Sequence, residues 1–108
     1  MGNPKFVIQR SSDQFYFHLA AGNGEIILTS ERYQSRASAE NGVAAVKESA
    51  VIERRFDRRV STNEKPYFVL KAGNNEIIGT SQMYASREAR DGGIRAVKES
   101  APAAGVER

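Results

Sequence analysis

The sequence contains no cysteine, which excludes a disulfide framework and any thiolate metal site. Its single histidine, His18, leaves no histidine pair to hold zinc. No apolar run approaches the roughly 20 residues a membrane-spanning helix needs, and the opening residues lack a signal-peptide core. Met1-Gly2-Asn3 begins like a myristoylation signal, but Phe6 stands where that signal wants serine or threonine. The expectation from these absences is a cytoplasmic protein without a membrane anchor. Paired carboxylates and a nucleophile elbow are missing too. Gly22-Asn23-Gly24 is no dinucleotide fingerprint, because a strand follows it where a helix would be required. No catalytic residue, metal or cofactor is expected. The net charge of +3 permits an anionic partner without demanding one.

What is present is a duplication. Residues 16–50 and 67–101 are identical at 21 of 35 positions, where unrelated segments would share roughly 2, so one unit is used twice. At 108 residues, 40% hydrophobic and 27% charged, the chain is a single soluble domain able to bury a real core. Repeat 1 spans about 5–55 and repeat 2 about 56–108, with no flexible linker between them. One merged domain is therefore expected.

Local chemistry sets out the elements of each copy. Met1–Pro4 reads as a loose end. Lys5–Arg10 reads as a strand, with Phe6 and Ile8 on one face. Ser11–Gln14 is turn chemistry. Phe15, Phe17, Leu19 and Ala21 then alternate with Tyr16, His18 and Ala20, as in a sheet with one face covered and one face wet. Gly22-Asn23-Gly24 makes a hairpin, repeated as Gly73-Asn74-Asn75. Two registers are open. A two-residue turn places Ile26 and Leu28 beside Leu19, whereas a type I turn with a bulge at Gly24 places Ile27 there. Gly79 stands where the first copy has Leu28, which favours the bulged register with position 28 outside the core.

After the third strand comes Tyr33, and Ser35 or Ser38 then caps a helix running to about Ser49. Its stripe is Ala39, Val43, Val46 and Ala50, matched by Ile94, Val97 and Ala101. Gly42 and Gly93 recur in mid-helix at about 1 kcal/mol each against alanine, which implies close approach of the helix to the sheet. Val51–Phe56 reads as a fourth strand leading into Asp57–Val60, and Val106–Arg108 reads as its short echo. The paired alternations and the two like stripes predict an α+β fold: one antiparallel-rich sheet with both helices on one face.

Leu19–Ile27, Ser30, Tyr33 with Ser35, and Gly42–Ala50, together with their counterparts Leu70–Ile78, Ser81, Tyr84 with Ser86, and Gly93–Ala101, resemble the YegP-like family of small bacterial tandem-repeat proteins. The resemblance covers nearly the whole chain. It implies a repeated β3-α-β unit with merged sheets and C-terminal strands exchanged between the halves. It implies no activity and carries over no functional residue.

Chemistry-bearing groups are few. His18 suits a general base, but an exposed sheet residue is the plainer reading, since its counterpart is Val69. Tyr33 and Tyr84 are expected to pack over the sheet edge with wet hydroxyls. Arg36 and Arg87 sit near helix starts, where a cation opposes the dipole and leaves room for an anion. Arg54, Arg55, Arg58 and Arg59 form the densest charge in the chain. They could lie along a phosphate backbone, with Tyr16 and Tyr67 as stacking platforms. The plainer reading is a charged strand that resists edge-to-edge aggregation.

The leading expectation is a binding or interaction module without catalytic activity. Weak, non-specific nucleic-acid binding through Arg54–Arg59 is the alternative, and an enzyme of unknown type comes third. The partner is expected to be protein or nucleic acid and not a membrane. The protein itself is expected to be a monomer, an internal pseudo-dimer.

Overall fold

The computed structural model describes residues 2–107. Strands β1 (Lys5–Ser11), β2 (Gln14–Ala20) and β3 (Ile26–Thr29) precede helix α1 (Arg36–Ser49). After a 3₁₀ turn at Glu53–Arg55 come β4 (Phe56–Val60), β5 (Pro66–Lys71), β6 (Ile77–Thr80), helix α2 (Arg87–Ala103) and β7 (Gly105–Glu107). The strands form one mixed sheet in the order β4-β5-β6-β3-β2-β1-β7. All pairs are antiparallel except β1 with β7. The halves meet through β3 and β6, joined by the single pair Thr29 with Thr80.

Both helices cover one face of this sheet. Ala39, Val43, Val46 and Ala50 of the first helical segment are buried, as are Ile94, Val97 and Ala101 of the second. They join Phe6, Phe17, Leu19, Phe56, Phe68 and Leu70 in one core cluster. Phe6 meets Phe17 edge-on at 5.8 Å, and Phe56 meets Phe68 in the same way at 5.8 Å. The helices begin where short polar side chains can satisfy free amides: Ser35 accepts from Ser38 N at 3.1 Å, and Ser86 from Ala89 N at 3.0 Å.

The hairpin between β2 and β3 has the bulged register. Gly24 stands at φ +88°, Gly24 N donates to the Ala21 carbonyl and Ala21 N to the Glu25 carbonyl. Asn75 repeats this at φ 73°, since asparagine tolerates the left-handed region. Position 28, however, is core. A further bulge lies where Ala20 pairs with Ile26 but Leu19 pairs with Leu28. Ile27 and Leu28 are both buried as a result. The Gly79 that argued against a core role explains it: a Cβ at 79 would lie 2.7 Å from Leu28 Cδ2. One repeat omits a side chain so that the other can fill the space.

Val51–Phe56 is not a strand. Phe56 pairs with Leu70, one residue from the end of β5, so apart from Arg55 the earlier residues have no strand neighbour to supply ladder bonds. They use local ones instead, Ile52 N to Ser49 O at 3.0 Å and Arg55 N to Ile52 O at 3.1 Å. β7 does join the sheet, beside β1 of the first repeat. With 51–55 a turn, no reciprocal exchanged strand accompanies it. The start is less loose than its composition suggests, because Gly2 N donates to the Gly22 carbonyl at 3.0 Å. Met1 and Arg108, parts of the expected loose end and last strand, lie outside the described residues.

The recurring glycines make room for the recurring tyrosines. A Cβ at Gly42 would fall on Tyr33 Oη and within 2.7 Å of Tyr33 Cζ, and one at Gly93 on Tyr84 Oη and within 2.6 Å of Tyr84 Cζ. Each tyrosine stacks on a strand phenylalanine, Tyr33 on Phe17 at 6.2 Å and Tyr84 on Phe68 at 6.5 Å. The Tyr84 hydroxyl is therefore not wet at a sheet edge, whereas Tyr33 stays half-buried. Tyr84 Oη is buried without a hydrogen-bond partner. Burial pushes both phenols above their ordinary range.

Candidate functional site

Ser30, Tyr33 and Ser35, with Ser81, Tyr84 and Ser86, are the most regular polar pattern in the chain, and the structure uses all six. Ser81 Oγ accepts from Phe68 N at 3.0 Å and donates to the Gln82 carbonyl at 2.8 Å; Ser30 does the same with Phe17 N and the Glu31 carbonyl. Tyr33 exchanges backbone bonds with Phe15. Removing the buried Ser81 hydroxyl strands the Phe68 amide, so Ser81→Ala should cost about 1–3 kcal/mol in a urea melt. Ser81→Thr should cost less if the γ-oxygen alone matters.

The face of the sheet away from the helices is uncovered. Across it the registers align Val7, His18, Thr29, Thr80, Val69 and Asp57 in one row. Tyr16 pairs beside Gln9 and Tyr67 beside Arg59. Charges at its two ends are engaged. Lys5 meets Glu107 at 2.9 Å, while Asp57 takes Arg59 at 3.0 Å and Lys71 at 3.5 Å. The Arg59 hydrogen bond holds the Asp57 carboxyl below its ordinary range. Desolvation, then the Lys5 charge, lowers His18, so it is neutral at pH 7. His18 has no acid, base or nucleophile as a hydrogen-bonded neighbour among the described residues.

The four clustered arginines do not form one track. Arg59 reaches the open face, but Arg58 turns to the helix side, donating to Asp91 at 3.1 Å and Glu53 at 3.2 Å. Arg55 donates to Ser49 Oγ at 3.0 Å, and Arg54 is exposed without a carboxylate among the described residues. Lys98 also holds Glu53. These cations depress the carboxyls of Glu53, through Lys98 first, and Asp91, through Arg58 first. That stabilisation is present above the ordinary carboxylate range and fades as pH falls through the depressed values. Arg36 lies over the Phe15 ring at 5.4 Å. Arg87 is exposed at the start of α2, next to Glu88.

Two residues escaped the sequence reading. Arg32 lies 4.6 Å over the Tyr16 ring, a contact with no local signature. Arg90 is only 7% exposed and donates to Asp91 at 3.2 Å. Its signal was readable, since Arg90 occupies the stripe position that Ala39 holds in the first copy.

Two shallow clefts flank the Thr29–Thr80 junction, of 520 and 540 Å³. Glu25 and Ile26 face Ser81 and Gln82 in one, where Gln82 Nε2 donates to Glu25 at 3.2 Å; Glu31 and Tyr33 face Glu76 and Ile77 in the other. Neither contains a nucleophile–base pair. Among the described residues no group of three or more histidine or carboxylate side chains could hold a metal, and no helix is long and apolar enough to cross a membrane.

A family model described as a domain of unknown function, DUF1508, matches residues 11–57 and again 61–107. A UPF0339 protein of Acinetobacter baylyi is 52% identical over 93% of this chain and 90% of its own length. The UPF0339 protein YegP of Escherichia coli O157:H7 is 53% identical over 86% of each. The solution NMR structure of a UPF0339 protein from Shewanella oneidensis matches with a TM-score of 0.91 at 47% identity, covering 97% of this chain and 90% of that one. That of yegP from E. coli, a protein of unknown function, also matches at 0.91, with 46% identity and 99% and 93% covered. Matched twice by the family model and almost end to end by these relatives, the chain belongs to the DUF1508 family, in the UPF0339 group that includes YegP.

Proposed function

We propose that this chain is a small interaction module without catalytic activity of its own, and that it docks a partner protein on the helix-free face of its sheet. The observation that supports this reading is the one-sided covering of a seven-stranded sheet. A face that no element covers presents side chains of fixed spacing at little ordering cost on binding. Its central row carries Val7, His18, Thr29 and Thr80, flanked by Tyr16 with Arg32 stacked on it and by Tyr67, and its ion pairs lie at the ends. Such a surface suits a protein partner better than a polyanion. The module acts in the cytoplasm as a monomer, its halves forming an internal pseudo-dimer.

A partner that co-elutes with the protein should be lost on Thr29→Arg/Thr80→Arg, which places two unpaired charges in the centre of the face. It should be retained by Glu48→Arg on the outside of α1. Retention by both variants, or measurable turnover of a co-purified small molecule, overturns the reading.

A second reading, binding of single-stranded nucleic acid, is favoured by the Arg32–Tyr16 stack and by Arg59 beside Tyr67 on the same face. Each phosphate contact adds about −0.7 to the log–log salt slope for single strands. With Arg58 and Arg59 engaged by carboxylates, the expected slope is shallower than about −2. Anisotropy with a labelled oligonucleotide decides. No binding at about 50 mM salt, or binding unchanged when Arg54, Arg55, Arg58 and Arg59 all become glutamine, retires it.

A further inference from the structure

The two halves of the sheet end differently, and the difference has a chemical consequence. On one side the outer edge of β1 is covered by β7, parallel, with Lys5 beside Gly105, Phe6 beside Val106 and Val7 beside Glu107. An ion pair of 2.9 Å between Lys5 and Glu107 closes the contact. On the other side β4 takes the place of β1. Phe56 replaces Phe6 against its own strand phenylalanine, and Lys98 lies 5.8 Å over Phe56 as Lys47 lies 6.0 Å over Phe6. But β4 pairs only with β5 and ends the sheet. The segment that would cover it, 51–55, turns in 3₁₀ form directly into β4.

An uncovered strand edge presents a row of backbone donors and acceptors, and natural proteins usually blunt such a row. Here the local charge leaves it selective. Glu53 is held by Lys98 and Arg58, and Asp57 by Arg59 and Lys71, so the carboxylates near the edge are already compensated. One cation is left over. Arg54 is exposed and meets no carboxylate among the described residues. Arg55, which precedes Phe56 as Lys5 precedes Phe6, is drawn inward: it donates to the Ser49 hydroxyl and lies against Gly73 after β5. At the far end of the strand Val60 is 52% exposed.

We propose that the outer edge of β4 is a docking site for an extended acidic segment of a partner protein, which adds to the sheet as an eighth strand parallel to β4. The internal template supplies direction and chemistry. β7 shows what this sheet accepts on an equivalent edge: three residues, small, β-branched and acidic, lying parallel. Backbone bonds provide the attachment, and a carboxylate in reach of the exposed Arg54 provides selectivity. This site lies apart from the open face, so the two can be tested independently.

The probe is a synthetic peptide of sequence Ala-Ala-Gly-Val-Glu, blocked at both ends, titrated into the labelled full-length protein and followed by NMR. Amide shifts and slowed exchange should be confined to 54–60. Affinity should fall by about tenfold or more with the glutamate of the peptide changed to lysine, or with Arg54→Glu, the loss of one charged hydrogen-bonded contact. Thr29→Arg/Thr80→Arg should leave it unchanged. Shifts centred on β1, which would mean displacement of β7, overturn the proposal. So do concentration-dependent shifts at β4 without peptide, which would make a second copy the occupant. A response at Arg54 and Arg55 to a single-stranded oligonucleotide but not to the peptide overturns it as well.

Discussion

Gly93→Ala should destabilise the protein by about 2 kcal/mol, although alanine is the better helix former by about 1 kcal/mol. The reason lies in the tyrosine beneath the helix. A Cβ at 93 falls on Tyr84 Oη and within 2.6 Å of Cζ, closer than any real contact. Tyr84 cannot easily retreat. Its ring stacks on Phe68, and its amide is held by the Pro66 carbonyl at 2.8 Å. Gly42→Ala meets Tyr33 in the same way, with Phe17 Cε2 also only 3.0 Å from the new Cβ. Leucine at either site should cost more than about 3 kcal/mol by overpacking. Urea melts of the series settle this, and the ranking should be glycine, then alanine, then leucine. Pairing Gly93→Ala with Tyr84→Ala should abolish most of the alanine penalty, because the atom in the way has gone. If Gly93→Ala comes out more stable than the parent, the glycines are not there for the tyrosines.

Leu28→Ala should cost about 2–5 kcal/mol, the range for emptying a fully buried leucine site. Leu28 is 1% exposed and fills the space over Gly79. The reverse change, Gly79→Leu, places a second leucine where Leu28 Cγ lies 2.7 Å from the new Cβ, an overpacking cost of about 1–3 kcal/mol. The two positions are related by the duplication, so the exchange Leu28→Gly/Gly79→Leu restores one leucine and one gap. It should be more stable than the sum of the single changes by about 1 kcal/mol or more, the signature of two residues sharing one space. Additivity of the two would mean that the match is incidental. Gly79 lies at an ordinary φ, since Gly24 is the glycine at positive φ, so strain does not confuse the reading.

Much of this protein is determined by short stretches of its own sequence, because the physics involved is short-range. Turns at Gly24 and Asn75 require residues that tolerate positive φ, and Asn23 and Asn74 add side-chain bonds two residues on. Ser35 and Ser86 start helices for the same local reason. The stripes at Val43, Val46, Ile94 and Val97 and the alternation of Phe17 and Leu19 fix which faces are buried. Duplication then makes one merged α+β domain the economical outcome. What depended on tertiary structure is whatever needs a partner far along the chain. Position 28 is core because Gly79, in the other repeat, leaves space for it. Residues 51–55 form a turn because β5 ends one residue past the partner of Phe56. Tyr33 and Tyr84 pack half-buried beneath the helices because a helix glycine nine residues on admits them. Arg55, Arg58 and Arg59, close in sequence, point to different surfaces because Ser49, Asp91 and Asp57 lie in different directions. Local periodicity states which side a residue faces, and only the packed chain states what it meets there.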